Sequence, residues 1–383
     1  MAKVIVASVG YTRVGDHWDK SILDLAVEAS KKALKPYPNI RPEVIIVGNM
    51  FSSQSSRQEH LGALLASALN LTRTPAFKAE AACASGGVAF NIAYNKIRSG
   101  EVSSALVVGV EKMRDLDTPE ASLALSMAES AEYTQFIGAS FLSLNAMLAR
   151  LYSETYNVSR DELSAFPVIA HSNAATAEHA QFRKAISVED VSRSPLVSDP
   201  LRLLDCAPVG DGAAAVLLAS DAFDEDDGAR VDVLSSKIST NIFSVYERDD
   251  MLKFDATRDA ASKAFSEAGI SVEDVDVLEV HDAFSVTAAL SVEAMGFSRE
   301  GEGAKDAAKG IYALRGRYPA LTFGGLKGRG HPVGATGIYQ IIELWLQLKG
   351  RGNANQVKGC RIGVAQNIGG VDTTSVVSVL ARR

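Results

Sequence analysis

Short runs of β-branched residues alternate with long helical stretches along this chain of 383 residues, and this order constrains the fold more than any other feature. A first strand begins near the N-terminus, and further runs close to glycines lie at 44–47, 105–108, 277–280 and 362–365. The helical stretches between these runs lie at 58–70, 88–98, 257–268 and 335–348. Strands that alternate with helices predict an α/β fold with largely parallel sheets.

The same order of elements recurs in the two halves of the chain. Residues 44–52 and 277–285 each place a strand before a polar turn that contains Phe-Ser, and a small-residue turn, a long helix and a further strand follow. Both long helices end in glycine, at Gly100 and Gly350. Sequence identity between the two segments is low, so duplication is a hypothesis. It predicts two similar halves whose sheets pack face to face through shared central helices, with domains at 1–240 and 241–383.

The helices at the matched places in the two halves carry almost no charge. From Ser85 the first charged residue is Lys96, and from Val333 the first is Glu343. A helix without a charged face is usually buried. Small residues at the start of both helices predict close approach of their backbones; they are Gly86, Gly87, Gly334, Ala335 and Gly337.

Two segments of the first half depart from this pattern. Residues 115–204 are rich in Ala, Ser, Glu and Met, with helical patches at 138–152 and 161–181. They predict an inserted helical subdomain, a loop domain that covers a pocket. The acidic segment 221–228 lacks the ligand spacing of a calcium loop, so solvated surface charge is the better interpretation.

Charge and cysteine content exclude several classes of function. The net charge is −7, which argues against a broad nucleic-acid or anionic-membrane surface. Three cysteines lie far apart and no CxxC pair occurs, which argues for a reducing compartment and against a zinc or iron–sulfur site, so we expect no metal. With no run of about 18 apolar residues and no signal-peptide pattern, a cytoplasmic protein is expected.

Cys83 is a candidate nucleophile. It lies in the segment Glu80-Ala-Ala-Cys-Ala-Ser-Gly-Gly87, immediately before a predicted helix. The helix dipole and the free N–H groups of the first turn are expected to lower the pKa of such a thiol. The alternative is a buried and inert cysteine.

Two of the six histidines stand in unusual contexts. His331 is surrounded by glycines in the segment Gly324 to Gly337, and Pro332 follows it at the start of a helix. His281 follows a strand, at the position where α/β sheets usually bind ligands. The alternatives are a core histidine for His331 and a partner of Asp282 for His281.

Gly369 and Gly370 form a close-approach loop after a strand. Backbone N–H groups there could line an oxyanion hole, although a tight structural turn is equally consistent with this segment alone. Taken together, a cysteine at a helix start, two histidines in shaped turns and a Gly-Gly loop favour acyl transfer through a Cys/His pair.

These segments closely resemble the thiolase family along the whole chain. Cys83-Ala-Ser-Gly-Gly87 resembles the nucleophile motif, Gly330-His-Pro-Val-Gly-Ala-Thr-Gly337 is similar to the most diagnostic block, and Asp211-Gly-Ala-Ala-Ala215 resembles the end of the first half. His281-Asp-Ala-Phe284 stands where most thiolases have Asn-Glu-Ala-Phe. Its His-Asp form is typical of the archaeal and sterol-carrier-protein-2 types.

The resemblance implies a five-layered αβαβα fold, a loop domain over the active site, and a homodimer or homotetramer. It implies acyl exchange between coenzyme A thioesters, with coenzyme A as substrate and product and no other cofactor. By the same resemblance Cys83 attacks the carbonyl, and His331 activates the thiol and then binds the thioester oxygen of the second substrate. His281 replaces the asparagine that holds a catalytic water in the first oxyanion hole. The N–H groups of Cys83 and Gly369 form the second hole.

This sequence departs from the family at its acid/base. The second cysteine of many thiolases aligns with Asn367, and the cysteine that sterol-carrier relatives carry in the His-Asp block is Ala283 here. An asparagine cannot take the α-proton of a Claisen condensation. Either His281 or His331 takes it, or the condensing step is weak, or a partner protein is needed.

The expected reaction is formation or cleavage of acetoacetyl-CoA, with Phe284 beside the substrate and Arg183 and Lys184 as candidate contacts for the phosphates of coenzyme A. Synthesis is uphill, so partners of the archaeal type are expected, namely the next enzyme of the mevalonate route and a small bridging protein. The alternatives are a longer-chain degradative 3-ketoacyl-CoA thiolase and a catalytically reduced subunit that binds acyl-CoA or acts as a scaffold. Ketoacyl synthases share the fold but lack the block at 330–337.

Overall fold

A computed structural model describes residues 2–221 and 229–383 of the chain. Apart from Asp221, the predicted acidic turn at 221–228 lies outside the described residues.

Strands and helices alternate through the described part of the chain. The strands are β1 (Val4–Tyr11), β2 (Val44–Gly48), β3 (Ala76–Ala79), β4 (Ser104–Glu111), β5 (Leu196–Ser198), β6 (Leu201–Arg202), β7 (Gly212–Ser220), β8 (Val231–Thr240), β9 (Val277–Glu279), β10 (Ile362–Gly369) and β11 (Thr374–Arg382). The α-helices are α1 (Ile22–Leu34), α2 (Ser52–Ser55), α3 (Leu61–Ala68), α4 (Ser85–Arg98), α5 (Thr118–Ser126), α6 (Phe141–Tyr156), α7 (Arg160–Leu163), α8 (Ala165–Ala174), α9 (Val188–Arg193), α10 (Asp255–Ala268), α11 (Ser285–Ala294), α12 (Gly303–Ala308) and α13 (Thr336–Leu348).

Nine strands form one sheet in the order β3-β2-β4-β7-β1-β8-β11-β10-β9. The first five strands lie within residues 4–220 and the other four within residues 231–382. By sequence β8 falls before the predicted boundary at 240, but in the sheet it lies with the strands of the second half. The two halves join where β1 pairs with β8, through Val4 with Val233 and Ile5 with Asp232. On each side of this junction the strands nearest to it pair antiparallel, and a parallel pair lies at the edge of the sheet. The predicted pair of similar halves is therefore confirmed.

The prediction of largely parallel sheets is wrong. Parallel pairing is confined to the outer strands, β2 with β3 and β4, and β9 with β10. Pairing is antiparallel where β7 meets β4 and β1, where β8 meets β1 and β11, and where β10 meets β11. Only residues 370–373 separate β10 from β11, and so short a connection can join only antiparallel neighbours.

The two halves of this sheet form the two β layers of the predicted αβαβα fold, and the helices form the other three layers. Helices α1 and α3 cover the outer face of the first-half strands, and α10 packs on β8 and β11 at the outer face of the second half. Helices α4 and α13 lie between the halves and contact strands of both. Their lack of charge follows from this central position.

Glycines allow the two central helices to meet at their N-terminal ends. A Cβ placed on Gly86 would lie 2.8 Å from the carbonyl oxygen of Gly334, and one on Gly337 would lie 2.5 Å from the nitrogen of Gly87. These distances are shorter than van der Waals contact, which confirms the predicted close approach. The loops that precede α4 and α13 therefore lie side by side.

The segment 115–204 contains helices α5 to α9 and the short hairpin of β5 and β6. Helix α6 matches the predicted helix at 138–152, but the prediction of a helix through 181 is wrong because α8 ends at Ala174. Beyond it, the N–H groups of Gln181 and Phe182 bond to the carbonyls of Arg329 and Gly328. These contacts with the glycine-rich loop take the place of helical hydrogen bonds.

No helix formed by residues 2–221 and 229–383 is both long enough and apolar enough to cross a membrane.

Candidate active site

A buried cavity lies where the two halves meet, beside the ends of β3, β9 and β10. Its volume is about 90 Å³. Most of its wall is apolar, with a thiol, two imidazoles and a polar pair as exceptions. The lining residues are Cys83, Leu125, Phe141, Asn145, Ala207, Val209, Phe254, His281, Ala283, Phe284, Thr287, His331, Gly370 and Val371.

Cys83 stands on a tight turn between β3 and α4. Ala82, immediately before it, has a φ of +50°, in the left-handed region that residues other than glycine rarely adopt. The hydroxyl of Ser85 stabilises this turn, since it accepts from the N–H of Ala81 at 3.0 Å and donates to the carbonyl of Ala82 at 2.6 Å. The carboxylate of Glu80 accepts from the N–H of Ala82 at 2.6 Å. The turn thus presents the thiol to the cavity.

The expectation of a lowered thiol pKa at Cys83 is wrong. Burial raises the pKa of Cys83 to about 12, and the negative charges of Glu111 and Glu80 act in the same direction. Desolvation disfavours the thiolate more strongly than the start of α4 favours it. The resting cysteine is therefore a thiol, and a base must remove its proton before it can act as a nucleophile.

His331 is held by its own loop. Its Nδ1 lies 2.7 Å from Oγ1 of Thr336, and that hydroxyl donates to the carbonyl of Pro332 at 3.3 Å. Because the single hydroxyl proton points to Pro332, we assign the ring proton to Nδ1, which leaves the lone pair of Nε2 free. Burial, with the nearby His281 and Arg329, holds the pKa of His331 well below its ordinary value. The ring is therefore neutral and can accept a proton at Nε2.

In His281 the ring proton is on Nε2 rather than on Nδ1, and a hydrogen bond from Asn367 fixes it there. Asn367 accepts from the N–H of Gly87 at 3.2 Å through Oδ1, while Nδ2 donates to the carbonyl of Cys83 at 3.1 Å. The same Nδ2 lies 3.3 Å from Nδ1 of His281. Since an amide nitrogen only donates, Nδ1 of His281 accepts and Nε2 carries the proton. His281 is thus a hydrogen-bond donor at Nε2.

Burial and two cations keep His281 neutral. Desolvation, followed by the charges of Arg329 and Lys327, lowers the pKa of His281 to about 3. Both cations are almost fully buried in the glycine-rich segment. Arg329 bonds to Glu343 at 2.7 Å, and Lys327 donates to the carbonyl of Asp282 at 2.6 Å. In the sequence, the signal that could have identified the two cations is their position among the glycines that precede His331.

The thiol and the two imidazoles converge. One ligand atom each from Cys83, His281 and His331 lies within 4.8 Å of the others, and the two rings meet edge to face at 5.3 Å. A soft metal ion would accept such a donor set, but a metal at Nε2 of His281 would move the ring proton to Nδ1, against the amide of Asn367. The hydrogen bonds favour acid/base and donor chemistry over metal binding.

The glycine loop lies behind the thiol. A Cβ on Gly369 would collide with the carbonyl oxygen of Ala81, so this backbone approaches the Cys83 turn closely. Gly370, with a φ of +68°, lines the cavity, whereas Gly369 is one residue behind the wall. Asp372 anchors the loop, because its carboxylate accepts from the N–H groups of Ala256 at 3.0 Å and Thr257 at 3.1 Å.

Of the three predicted substrate contacts, one lies in the cavity wall and two lie outside it. Phe284 lines the cavity, but Arg183 and Lys184 are exposed and do not line it. A polar pair that was not predicted from the sequence lies in the cavity wall, where Thr287 donates to Oδ1 of Asn145 at 2.9 Å. Neither residue belongs to a recognisable motif, so only the tertiary structure reveals them.

The chain is similar to known proteins over its whole length. The family described as "Thiolase, N-terminal domain" matches residues 4–222, and that described as "Thiolase C-terminal domain-like" matches residues 238–382. The acetyl-CoA acetyltransferase of Methanothermobacter thermautotrophicus is 39% identical, with 100% of each chain covered. That of Methanocaldococcus jannaschii is 35% identical and covers 100% of this chain and 99% of its own.

Solved structures share the fold at lower identity. The structure described as "Ltp2-ChsH2(DUF35) aldolase" has a TM-score of 0.84 at 20% identity, with 98% of this chain and 97% of that chain covered. Human mitochondrial 3-ketoacyl-CoA thiolase has a TM-score of 0.77 at 19% identity, with 100% and 99% covered. At these identities the structures establish the fold alone.

Proposed function

The chain belongs to the thiolase family of acyltransferases, and we propose that it exchanges acetyl groups between coenzyme A thioesters through an acetyl-cysteine, with acetoacetyl-CoA as the ketoacyl substrate. The observation that carries this proposal is the convergence of Cys83, His331 and His281 within 4.8 Å in a mostly apolar cavity. The names of the archaeal relatives support acetyl-CoA as the donor. No cofactor is needed, since coenzyme A is substrate and product.

In the first half-reaction His331 is the base. Its Nε2 takes the proton of the Cys83 thiol, and the sulfur attacks the thioester carbonyl. The carbon–sulfur bond to coenzyme A then breaks, and the leaving thiolate takes the proton back from His331. The cost of a buried thiolate falls when the imidazolium forms beside it, so the raised thiol pKa is compatible with turnover.

In the second half-reaction a base takes an α-proton from a second acetyl-CoA, and the α-carbon attacks the carbonyl of the acetyl-cysteine. The carbon–carbon bond forms, the carbon–sulfur bond to Cys83 breaks, and the Cys83 thiolate takes the proton back from the base. We assign the α-proton to His331, which is neutral again after the first half-reaction. His281 supports the developing enolate or oxyanion with its Nε2–H. Its Nδ1 already accepts from Asn367 and its pKa is about 3, so donation suits it better than proton abstraction. The backbone N–H groups of Cys83 and Gly369 are assigned to the oxygen of the acetyl-cysteine.

The aromatic wall of the cavity supports a short acyl chain. The cavity that holds Cys83, His281 and His331 is also lined by three aromatic residues, Phe141, Phe254 and Phe284. Besides the catalytic side chains, the polar side chains among the lining residues are those of Asn145 and Thr287. Arg183 and Lys184 are exposed, and we keep them as proposed contacts for the phosphates of coenzyme A outside the cavity.

Thiolysis of acetoacetyl-CoA by coenzyme A, followed as loss of the enolate absorbance, tests the proposal. Wild-type protein should cleave acetoacetyl-CoA, and Cys83→Ala should not, while Cys206→Ala serves as the matched control. A preference for longer 3-ketoacyl-CoA substrates would replace acetoacetyl-CoA with the degradative alternative. Binding of acyl-CoA without any thiolysis would instead identify a reduced, scaffold-like subunit.

We further propose that the protein works as a homo-oligomer in the cytoplasm and passes its product to a second enzyme, since acetoacetyl-CoA formation is uphill. Exposed apolar side chains in the loop domain support protein contacts: Tyr133 is 63%, Phe136 84% and Ile137 73% exposed. The description of one structural neighbour names two components, Ltp2 and ChsH2. Light scattering of the purified protein measures the oligomeric state, and added partner enzymes should increase net synthesis.

A further inference from the structure

Glu111 is a buried carboxylate next to the catalytic group that the proposed mechanism does not use. It is the last residue of β4, and its side chain is fully buried. A single acid at the end of a strand has no distinctive sequence pattern, so Glu111 was not predicted as a site residue.

Its two oxygens join three segments of the active site. Oε1 accepts from Nδ2 of Asn49 at 2.7 Å and from the N–H of Phe51 at 3.4 Å. Oε2 accepts from the N–H of Met50 at 3.0 Å and from the N–H of Gly334 at 2.9 Å. All four donors are uncharged. The carboxylate thus ties the turn after β2 to the loop that carries His331.

The contact with Gly334 leaves no room for a side chain. A Cβ there would lie 2.7 Å from Oε2 of Glu111 and 2.7 Å from Cα of Asn49. Gly334 is three residues beyond His331 and lies in the turn that starts α13. The position of the imidazole relative to the first half of the chain therefore depends on this tether.

Glu111 also acts on the thiol through its charge. Burial raises the pKa of Glu111 to about 7, while its backbone donors and the more distant Lys78 favour the ionised form. Its negative charge is the second largest cause, after burial, of the raised pKa of Cys83. The other titratable groups near the thiol are Glu80 on the same turn and the two imidazoles, which are neutral.

We propose that Glu111 is a positioning residue for acyl transfer, which fixes the His331 loop against the turn after β2. Its negative charge, buried close to the same site, also disfavours the thiolate of Cys83. The inference rests on the proposed chemistry of Cys83 and His331. If the proposal holds, the Cys83 thiol resists non-specific alkylation in the resting enzyme. It becomes a nucleophile only when His331 is aligned with it.

Glu111→Gln tests both parts in the full-length protein. The variant keeps the size of the side chain, removes the charge, and replaces one accepting oxygen with a donor. Alkylation of Cys83 by iodoacetamide at pH 8, measured by mass spectrometry, should become about 3- to 30-fold faster, because a nearby negative charge is lost. Acetylation of Cys83 by acetyl-CoA should become about 10-fold slower or more, because His331 is displaced.

Two controls separate the possible outcomes. Glu111→Asp keeps the charge but shortens the tether, so alkylation should stay near wild type while acetylation falls; it also serves if Glu111→Gln does not fold. Glu80→Gln removes a charge near the thiol without contacting Gly334, and should affect acetylation less than Glu111→Gln. If the Glu111 variants lose only thermal stability, with both rates unchanged, the inference is overturned. If wild-type Cys83 is not acetylated at all, the proposed function fails instead.

Discussion

Asn367 donates from Nδ2 to Nδ1 of His281 at 3.3 Å, and this hydrogen bond fixes the ring proton of His281 on Nε2. The amide cannot turn over without losing its bonds to the N–H of Gly87 and the carbonyl of Cys83. Asn367 stands where many thiolases are expected to carry a second cysteine. In this protein the position orients an imidazole and supplies no acid or base.

Asn367→Asp should therefore reverse the direction of the hydrogen bond between residue 367 and Nδ1 of His281. A carboxylate accepts from Nδ1–H, so the lone pair of His281 would move to Nε2 and its pKa would rise above about 3. Loss of the Nε2 donor should lower thiolysis of acetoacetyl-CoA by about 100-fold or more. The pH dependence of thiolysis should gain an acid limb in which activity recovers, because protonation of His281 near its raised pKa restores the Nε2–H donor.

Asn367→Ala is the matched control, because it removes the hydrogen bond without imposing the other tautomer. Its defect should be smaller than that of Asn367→Asp, with no new acid limb. Equal defects in the two variants would mean that Asn367 acts only by packing between the central helices.

Cys83→Ala should abolish acetylation while the fold stays intact. A small side chain fits the turn, and the apolar environment of the cavity tolerates loss of the thiol. After incubation with acetyl-CoA, mass spectrometry should find one acetyl group on wild-type protein and none on the variant. Cys360 is buried, and burial raises the pKa of Cys206 to about 12, with no base assigned beside it. Label on either of these cysteines would contradict the assignment.

Sequence patterns predicted the layers of the fold because those patterns are local. Helices at 88–98 and 335–348 carry no charge over most of their length, which predicts that they are buried, and the glycines at their starts predict the contact between them. Strand direction was not predictable from alternation alone, since β7 pairs with strands far from it in the sequence. The end of α8 was missed because its competing hydrogen bonds come from Arg329 and Gly328, about 150 residues away.

The identity of the catalytic residues was predictable from the sequence, but their protonation states were not. Cys83, His281 and His331 are marked by their turns, and the structure brings them together. The direction of the thiol pKa depends on burial and on Glu111, and neither is visible in the segment around Cys83. The state of His281 depends on Asn367, a partner 86 residues away.

Gly337→Ala should disturb both stability and activity. The added Cβ would collide with Oδ1 of Asn367 and lie 2.5 Å from the nitrogen of Gly87. Overpacking of this kind costs about 1–3 kcal/mol, so the melting temperature should fall and acetylation should slow as Asn367 shifts. Gly310→Ala is a control, since Gly310 has a φ of +83° and nothing within 4 Å of an added Cβ. It should lower stability through backbone strain alone and leave acetylation unchanged.

His281 should make the protein less stable in acid. Its pKa in the folded protein is about 3, below the ordinary value near 6.5, so the unfolded chain binds a proton first as the pH falls. Stability is therefore lost as the pH drops from about 6.5 towards 3. His281→Asn removes this linkage, and its stability relative to wild type should improve by about 2.5 kcal/mol between pH 7 and pH 4.5. Thermal melts of both proteins at the two pH values measure this difference. A constant difference would show that His281 is not held neutral by the fold.

The same variant distinguishes a donor from a base in catalysis. His281→Asn restores the residue that most thiolases are expected to carry, and its amide can still donate a hydrogen bond or hold a water. Cys83 should still accept acetyl from acetyl-CoA, because His331 and Thr336 are unchanged. If His281 only donates, thiolysis of acetoacetyl-CoA should fall by no more than the factor of about 100–1,000 that one oxyanion donor supplies. If His281 also moves the α-proton, the loss should be larger by a further factor of about 100–10,000. The lowered pKa of His281 and its bond from Asn367 favour the smaller defect. A defect beyond about 1,000-fold, with acetylation of Cys83 intact, would show instead that this imidazole is the base and that His331 serves only the thiol.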